Sequence, residues 1–303
     1  MQKALELVSS VDERLGKLFV EFEKEVGPLL DALPQSLGSA GSRNIYGEDQ
    51  KRADVLSNDR FLEACRRSGV VSTIATEELE RPARLAESGL SVVMDPLDGS
   101  SNLESNNLMG TIVGVYETLD FPLKPADQLA AFYFLYGPYS SCVFAAKHEV
   151  TEMVWIRGNE HTGFRLMRGS LKIANSGGVY GIGGARSKWS DKLHELSREF
   201  DAKGLKLRYG GSFVGDFNQV VHYGGIFAYP ATADAKNGKL RALYEAGPIA
   251  YIAHAAGGLS SDGATNILAK EIESPEKRTP VFVGSAGLVK RVEEVLRRDS
   301  FIG

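Results

Sequence analysis

SVVMDPLDGSSNLES, residues 91–105, sets two aspartates around a proline where an apolar run ends, then adds a glycine, two serines and an asparagine. The run before it reads as a strand. In a regular strand, residues three apart face opposite sides. Pro96 forces a bend here, so that Asp95 and Asp98 turn toward one point with the Leu97 carbonyl between them as a further oxygen ligand. Gly99, Ser100 and Ser101 read as the first turn of a helix whose free N–H groups can hold a phosphate. A lone Asp-Pro is ordinarily a turn. Proline geometry, two carboxylates and an N–H cradle in one short string point instead to a metal and phosphate site.

Working outward, the flanking sequence supplies a sheet. VVSTIAT (70–76), LSVVM (90–94), TIVGVY (111–116), AAFYFLY (130–136), SCVFAA (141–146) and TEMVWI (151–156) are β-rich runs after initial helices, a pattern for a helix-flanked sheet. Leu15, Leu18, Phe19, Phe22 and Val26 predict an amphipathic helix ended by Gly27-Pro28. Residues 34–50 read as a Gly/Ser-rich loop, and 55–69 as a helix capped by Ser57 or Asn58. From about residue 168 helices and strands alternate. Helices are expected at 189–200, 213–223, 240–258 and 286–299, and strands at 205–209, 225–229 and 281–284. We expect an N-terminal α+β domain over 1–167 and a C-terminal α/β domain over 168–303.

Other acidic clusters also fall at the ends of apolar runs. Glu77-Glu78 follow VVSTIAT directly, and Glu48, Asp49 and Asp54, with Asp59, precede and enter a helix. Alone, a Glu-Glu pair is usually a solvated loop. Gathered together, such carboxylates repel and raise one another's pKa unless cations neutralise them, and hard oxygen donors suit Mg²⁺ or Mn²⁺. The chain of 303 residues can bury a sizeable core, and its formal net charge of −4 carries no signature of nucleic-acid binding. Cys65 and Cys142 form no zinc or disulfide framework, the first thirty residues are too charged for a targeting segment, and no apolar run approaches about eighteen residues. These features predict a cytoplasmic protein with no membrane span.

DPLDGSSN (95–102), DVLSND (54–59), Glu77-Glu78, GTIVGVY (110–116), RYGGS (208–212), YGGIFAYP (223–230) and NGKLRALYE (237–245) together resemble the class I fructose-1,6-bisphosphatase family, within the lithium-sensitive, metal-dependent sugar and inositol phosphatases. The likeness covers roughly residues 45–285. It implies an α/β (α+β) fold, a layered α-β-α-β-α architecture with two mixed sheets. It also implies hydrolysis of the 1-phosphate of a sugar bisphosphate with roughly two or three Mg²⁺, or Mn²⁺, per site. By resemblance the metal ligands are Glu77, Asp95, the Leu97 carbonyl, Asp98 and Glu245, with Glu48 or Asp49 as a loop ligand. Glu78 and Asp54 resemble the pair that activates the attacking water. The 1-phosphate would meet Gly99, Ser100 and Ser101, with Arg241 as its clamp. The 6-phosphate would meet Asn175, Tyr209, Tyr229 and Lys239, plus Arg208 from a neighbouring subunit of a homotetramer, with Tyr180 as a candidate further contact. Gly211, Ser212 and Lys239 would surround the sugar ring.

The AMP-binding features of many relatives are absent. No Thr-Gly-Glu-Leu-Thr turn is present, Gly89-Leu90 stand for a Lys-Tyr pair, and Glu117 stands for an arginine. AMP insensitivity is therefore expected, because a carboxylate repels the AMP phosphate. AGGLSSDG (256–263) and DFNQ (216–219) resemble sedoheptulose-type relatives, which makes sedoheptulose 1,7-bisphosphate the alternative substrate. A non-catalytic sugar-phosphate-binding regulator is a third reading, disfavoured by retention of Asp54 and Glu78.

Overall fold

The computed structural model describes residues 4–43, 49–158 and 162–298. Two N-terminal helices, α1 (Ala4–Val11) and α2 (Glu13–Ala32), are followed by a short ribbon of β1 (Ser39–Arg43) and β2 (Asp49–Lys51), and then by α3 (Arg52–Ser68). The ribbon occupies part of the stretch expected to be loop. Helix α2 begins at Asp12, whose carboxylate accepts from the Arg14 amide at 2.7 Å. It does not end at Gly27-Pro28. Pro28 forfeits one intrahelical hydrogen bond, a cost of about 3 kcal/mol in a helix interior. Beyond it Leu29 and Leu33 continue the buried stripe at 0% and 4% exposure. Their burial is worth roughly 1.5–3 kcal/mol each and offsets the break. Gly27 lets the helix lie against Trp155, since a Cβ there would stand 3.0 Å from the indole ring.

The first sheet has eight strands. They are β3 (Val71–Thr76), β4 (Ala83–Arg84), β5 (Leu90–Asp98), β6 (Met109–Tyr116), β7 (Ala130–Tyr136), β8 (Ser140–Ala146), β9 (Glu149–Ile156) and β10 (Gly163–Arg168), in the order β10-β9-β8-β7-β6-β5-β3-β4. The β3–β5 pair is parallel and the other neighbours are antiparallel. Strand β7 shows why these strands read as unbroken apolar runs. Phe132 and Phe134 pack with Phe19 and Phe164 on the α2–α3 side, while Ala131, Tyr133 and Leu135 join a second core on the other face.

The second half contributes β11 (Val179–Ile182), α4 (Asp191–Ala202), β12 (Lys206–Leu207), α5 (Phe213–Tyr223), β13 (Gly225–Tyr229), β14 (Leu240–Arg241), α6 (Gly247–Ala255), β15 (Leu259–Ser261), β16 (Arg278–Thr279), β17 (Val281–Gly284) and α7 (Ala286–Arg297). The second sheet runs β12-β11-β13-β17-β15 and is also mixed, with β11 parallel to β12 and β13, and β17 antiparallel to β13 and β15. One core joins the first sheet, α5, α6 and the inner face of the second sheet; another lies under α4 and α7. The layers are therefore α-β-α-β-α with two mixed sheets, as the resemblance implied. The expected helix over 240–258 is instead the short strand β14, a π-helical turn at Ala242–Ala246, and α6. No helix among the described residues is long and apolar enough to cross a membrane.

Candidate active site

Because β3 and β5 are parallel neighbours, their C-terminal ends open at the same sheet edge. Glu77 and Glu78 leave β3 in a turn tied down by Thr76, whose hydroxyl donates to Asn58 at 2.7 Å and accepts from the Glu78 and Leu79 amides at 3.2 and 3.1 Å. Asn58 and Ser57 therefore lie inside α3 rather than capping it. The helix starts at Arg52, where Asp54 accepts from the Lys51 amide at 3.0 Å and lines the cleft. That cap was missed because the cap residue itself is a lysine; the capping carboxylate sits three positions later.

The aspartates converge through a β-bulge. Asp95 pairs with Ile112 and Asp98 with Gly110, three residues against two. The extra residue reverses the alternation, so both side chains reach one face. The bulge is held by the Pro96 carbonyl, which accepts from Thr111 Oγ1 at 2.9 Å, and by Asp95 Oδ1, which accepts from the Leu97 amide at 3.0 Å. The expected bend at Pro96 thus takes the form of one inserted residue within a continuous strand.

Glu245 arrives from the other half on the π-helical turn, its Oε2 accepting from the Arg241 amide at 2.6 Å. One carboxylate oxygen each from Glu77, Asp95 and Glu245 lie within 4.8 Å of one another. Burial, then Glu77, Asp98 and Glu245, push Asp95 well above the carboxylate range; burial and Glu77 do the same to Glu245. Hard carboxylate oxygens at this spacing, with the buried Asp95 and Glu245 both pushed toward protonation by burial and by neighbouring carboxylates, fit a divalent metal ion. Asp98 lies beside them, and Ser212 Oγ and the Val214 amide donate to its Oδ2 at 2.6 and 2.8 Å. These bonds partly counter the upward push of burial. Burial also raises Asp54, which a Ser100 hydrogen bond opposes. Of the two loop-ligand candidates, Glu48 and the Asp49 side chain lie outside the described residues.

The turn after Asp98 is a short 3₁₀ segment, Ser100–Leu103, entered through Gly99 at φ +77°. Asn102 donates to the Leu108 and Gly210 carbonyls at 2.9 and 2.8 Å. Asp216 accepts from the Gly210 and Gly211 amides at 2.6 and 3.1 Å, and burial raises its pKa to about 6. Asn102 and Asp216 were not foreseen as site residues. The first stood in the opening string as a small donor, and the second carried only a family likeness.

Asp54, Glu77, Glu78, Asp95, Leu97, Asp98, Gly99, Ser100, Ser101, Gly211, Tyr229, Lys239, Leu240, Glu245 and Arg278 share one cleft of about 230 Å³. Lys239 Nζ lies 5.3 Å from the Tyr229 ring, and the Tyr209 and Tyr229 hydroxyls are 3.5 Å apart. A larger hollow of about 1090 Å³ behind Leu103–Met109 is lined by no carboxylate among the described residues and shares no lining residue with this cleft.

Several expected contacts do not join the cleft. Asn175 is exposed, with its carbonyl beside Gly287 in the first turn of α7. It belongs to the Gly225 end of β13, about 13 Å along the strand from Tyr229 at a rise of about 3.3 Å per residue. Tyr180 points into the α4–α7 core, its hydroxyl donating to Asp201 at 2.6 Å. Ser212 spends its hydroxyl on Asp98. Arg208 is exposed and does not line its own chain's cleft. Arg241 is fully buried behind the acidic ring, its Nε 3.8 Å from Glu77 Oε1, and Arg278 stands in the wall where a clamp was expected.

Comparison with known proteins agrees with this geometry. The family model described as "Fructose-1-6-bisphosphatase, N-terminal domain" matches residues 31–160, and its C-terminal counterpart matches residues 173–297. A protein named "Fructose-1,6-bisphosphatase class 1" from Methanocorpusculum labreanum is 38% identical over 289 residues, covering 95% of this chain and 88% of that protein. One of the same name from Geobacter metallireducens is 42% identical, covering 86% and 84%. The holo form of Leishmania major fructose-1,6-bisphosphatase superposes with a TM-score of 0.91 at 28% identity, covering 98% of this chain and 99% of that one. A putative sedoheptulose-1,7 bisphosphatase from Toxoplasma gondii reaches 0.86 at 24% identity, covering 98% of each chain, a likeness of fold alone.

Proposed function

Because this chain belongs to the class I fructose-1,6-bisphosphatase family, a family of phosphoric monoester hydrolases, we propose that it hydrolyses the 1-phosphate of D-fructose 1,6-bisphosphate to fructose 6-phosphate and phosphate, with Mg²⁺ as its metal. The observation that carries this is one cleft holding the Glu77–Asp95–Glu245 ring, the Gly99–Ser101 turn and Lys239 together. Glu77, Asp95, Asp98, Glu245 and the Leu97 carbonyl would hold the ions. An ion held there would supply Lewis acidity toward phosphoryl oxygens, the attacking water and the leaving alkoxide. The Gly99–Ser101 turn presents N–H and hydroxyl donors to the reacting phosphate. Asp54 and Glu78 flank the same space and serve as the proton acceptors for the attacking water. Lys239, with Tyr229 and Tyr209, supports the distal phosphate. A homo-oligomer in which Arg208 serves a neighbour's site, cytoplasmic location and a role in gluconeogenesis or carbon fixation complete the reading.

The test compares kcat/KM for fructose 1,6-bisphosphate, sedoheptulose 1,7-bisphosphate and inositol monophosphate. Fructose 1,6-bisphosphate is expected to lead by about tenfold or more, a difference of about 1.4 kcal/mol in transition-state binding. A larger value for sedoheptulose 1,7-bisphosphate replaces the reading with the alternative substrate.

We also propose that AMP does not inhibit. Glu117, where the resemblance expects an arginine, is gripped by Arg14 through a fork of 3.0 and 2.7 Å. Gly89 has φ +141°, and a Cβ there would stand 2.5 Å from the Val70 carbonyl, so no larger side chain fits. Micromolar AMP is expected to leave phosphate release unchanged; half-inhibition in that range would overturn the idea.

A further inference from the structure

Among the described residues, six carboxylates line the cleft, Asp54, Glu77, Glu78, Asp95, Asp98 and Glu245, against two cations, Lys239 and Arg278. A sugar bisphosphate brings roughly three to four negative charges of its own. Metal ions at the ring answer one part of that charge. The buried Arg241 guanidinium stands behind Glu77 and not in the cleft wall.

Arg278 is placed by the ribbon of β14 and β16. It sits directly opposite Arg241, with Leu240 opposite Thr279, and the Ala242 amide donates to the Lys277 carbonyl at 2.7 Å. Side chains directly opposite one another on paired strands share a face. Arg278 NH1 donates to the Lys239 carbonyl, which fixes the guanidinium plane and ties down the segment carrying Lys239. Resting on the phosphate-ester reading above, we propose that Arg278 is a phosphate-binding residue of this cleft, and that with Lys239 it forms a cationic wall facing the acidic ring. The guanidinium fork matches phosphate oxygens in a bidentate manner that Lys239 cannot reproduce.

Arg278→Ala and Arg278→Lys test this with two readouts. The first is the Kd of inorganic phosphate, measured by calorimetry with Mg²⁺ present. The second is the KM and kcat for fructose 1,6-bisphosphate. Arg278→Ala is expected to weaken phosphate and raise KM by about tenfold each while kcat changes less than about threefold; Arg278→Lys, with charge but no fork, falls between. The Mg²⁺ half-saturation concentration is expected to stay at the wild-type value. Phosphate Kd and KM within about twofold of wild type in Arg278→Ala overturn the proposal. So does an equal shift in Mg²⁺ half-saturation, which marks damage to the carboxylate ring. If the alanine variant does not fold, the lysine variant is read against the same limits. A wild type that binds phosphate but does not turn over the bisphosphate sinks the functional reading instead, and the phosphate Kd values still judge Arg278.

Discussion

Asp98→Asn is expected to fold normally and to lose phosphate release by about 10³-fold or more, equivalent to about 4 kcal/mol of transition-state stabilisation. The two hydrogen bonds from Ser212 and Val214 to Oδ2 fix the orientation of the new amide. Its single carbonyl oxygen must face those donors, so its NH₂ faces the cleft. A donor with no lone pair cannot ligate a cation, and a neutral group adds no charge to the ring. The fold tolerates the change, because the two bonds survive in weaker, neutral form, a loss of about 1 kcal/mol. The lighter desolvation of an amide partly offsets that loss. Phosphate release with saturating Mg²⁺, read beside thermal unfolding, checks both halves. Activity within tenfold of wild type would remove Asp98 from the metal site.

Gly99→Ala is the second large effect. At φ +77° an alanine pays about 1–2 kcal/mol for the left-handed conformation. The added Cβ would also stand 2.6 Å from Ser212 Cβ. Ser212 cannot retreat without releasing Asp98 and uncapping α5, whose Gly215 amide it accepts at 3.2 Å. Overpacking of this kind costs about 1–3 kcal/mol more. We expect roughly 2–5 kcal/mol of lost stability by denaturant titration, and a fall in kcat of about a hundredfold as the phosphate turn and Asp98 move together. A variant that keeps wild-type kcat would show that the turn can shift without disturbing the site.

What could be read from the chain, and what could not, divides on physical lines. Strands buried on both faces, such as Ala130–Tyr136, announce themselves as apolar runs, and their limits were close. The helix Phe213–Tyr223 was legible from end to end, because Ser212 before it is an ordinary start signal and Gly224 after it an ordinary stop signal. Pro28 misled because the penalty of a proline is local, whereas the burial of Leu29 and Leu33 that outweighs it is tertiary. Asp95 and Asp98 were assigned to one face correctly, but the inserted residue that puts them there depends on the register with Ile112 and Gly110, which one strand cannot reveal. Asn175 was aligned by residue type where the fold demanded position. The edge near Tyr229 is served by the C-terminal end of β11, and that four-residue strand gave too short a run to be read. Arg278 hid in a charged stretch that looks like solvated surface.

Helix α5 lies between the two sheets, yet its first turn holds an aspartate that belongs to the first sheet, 114 and 116 residues away along the chain. Glu245 crosses the same divide to reach Glu77 and Asp95. The site is thus a joint between two halves, and competence is a property of the seam. Whatever loosens the docking of one half on the other, a bound molecule or a cut in the segment 169–178, can silence the chemistry while leaving every carboxylate chemically intact.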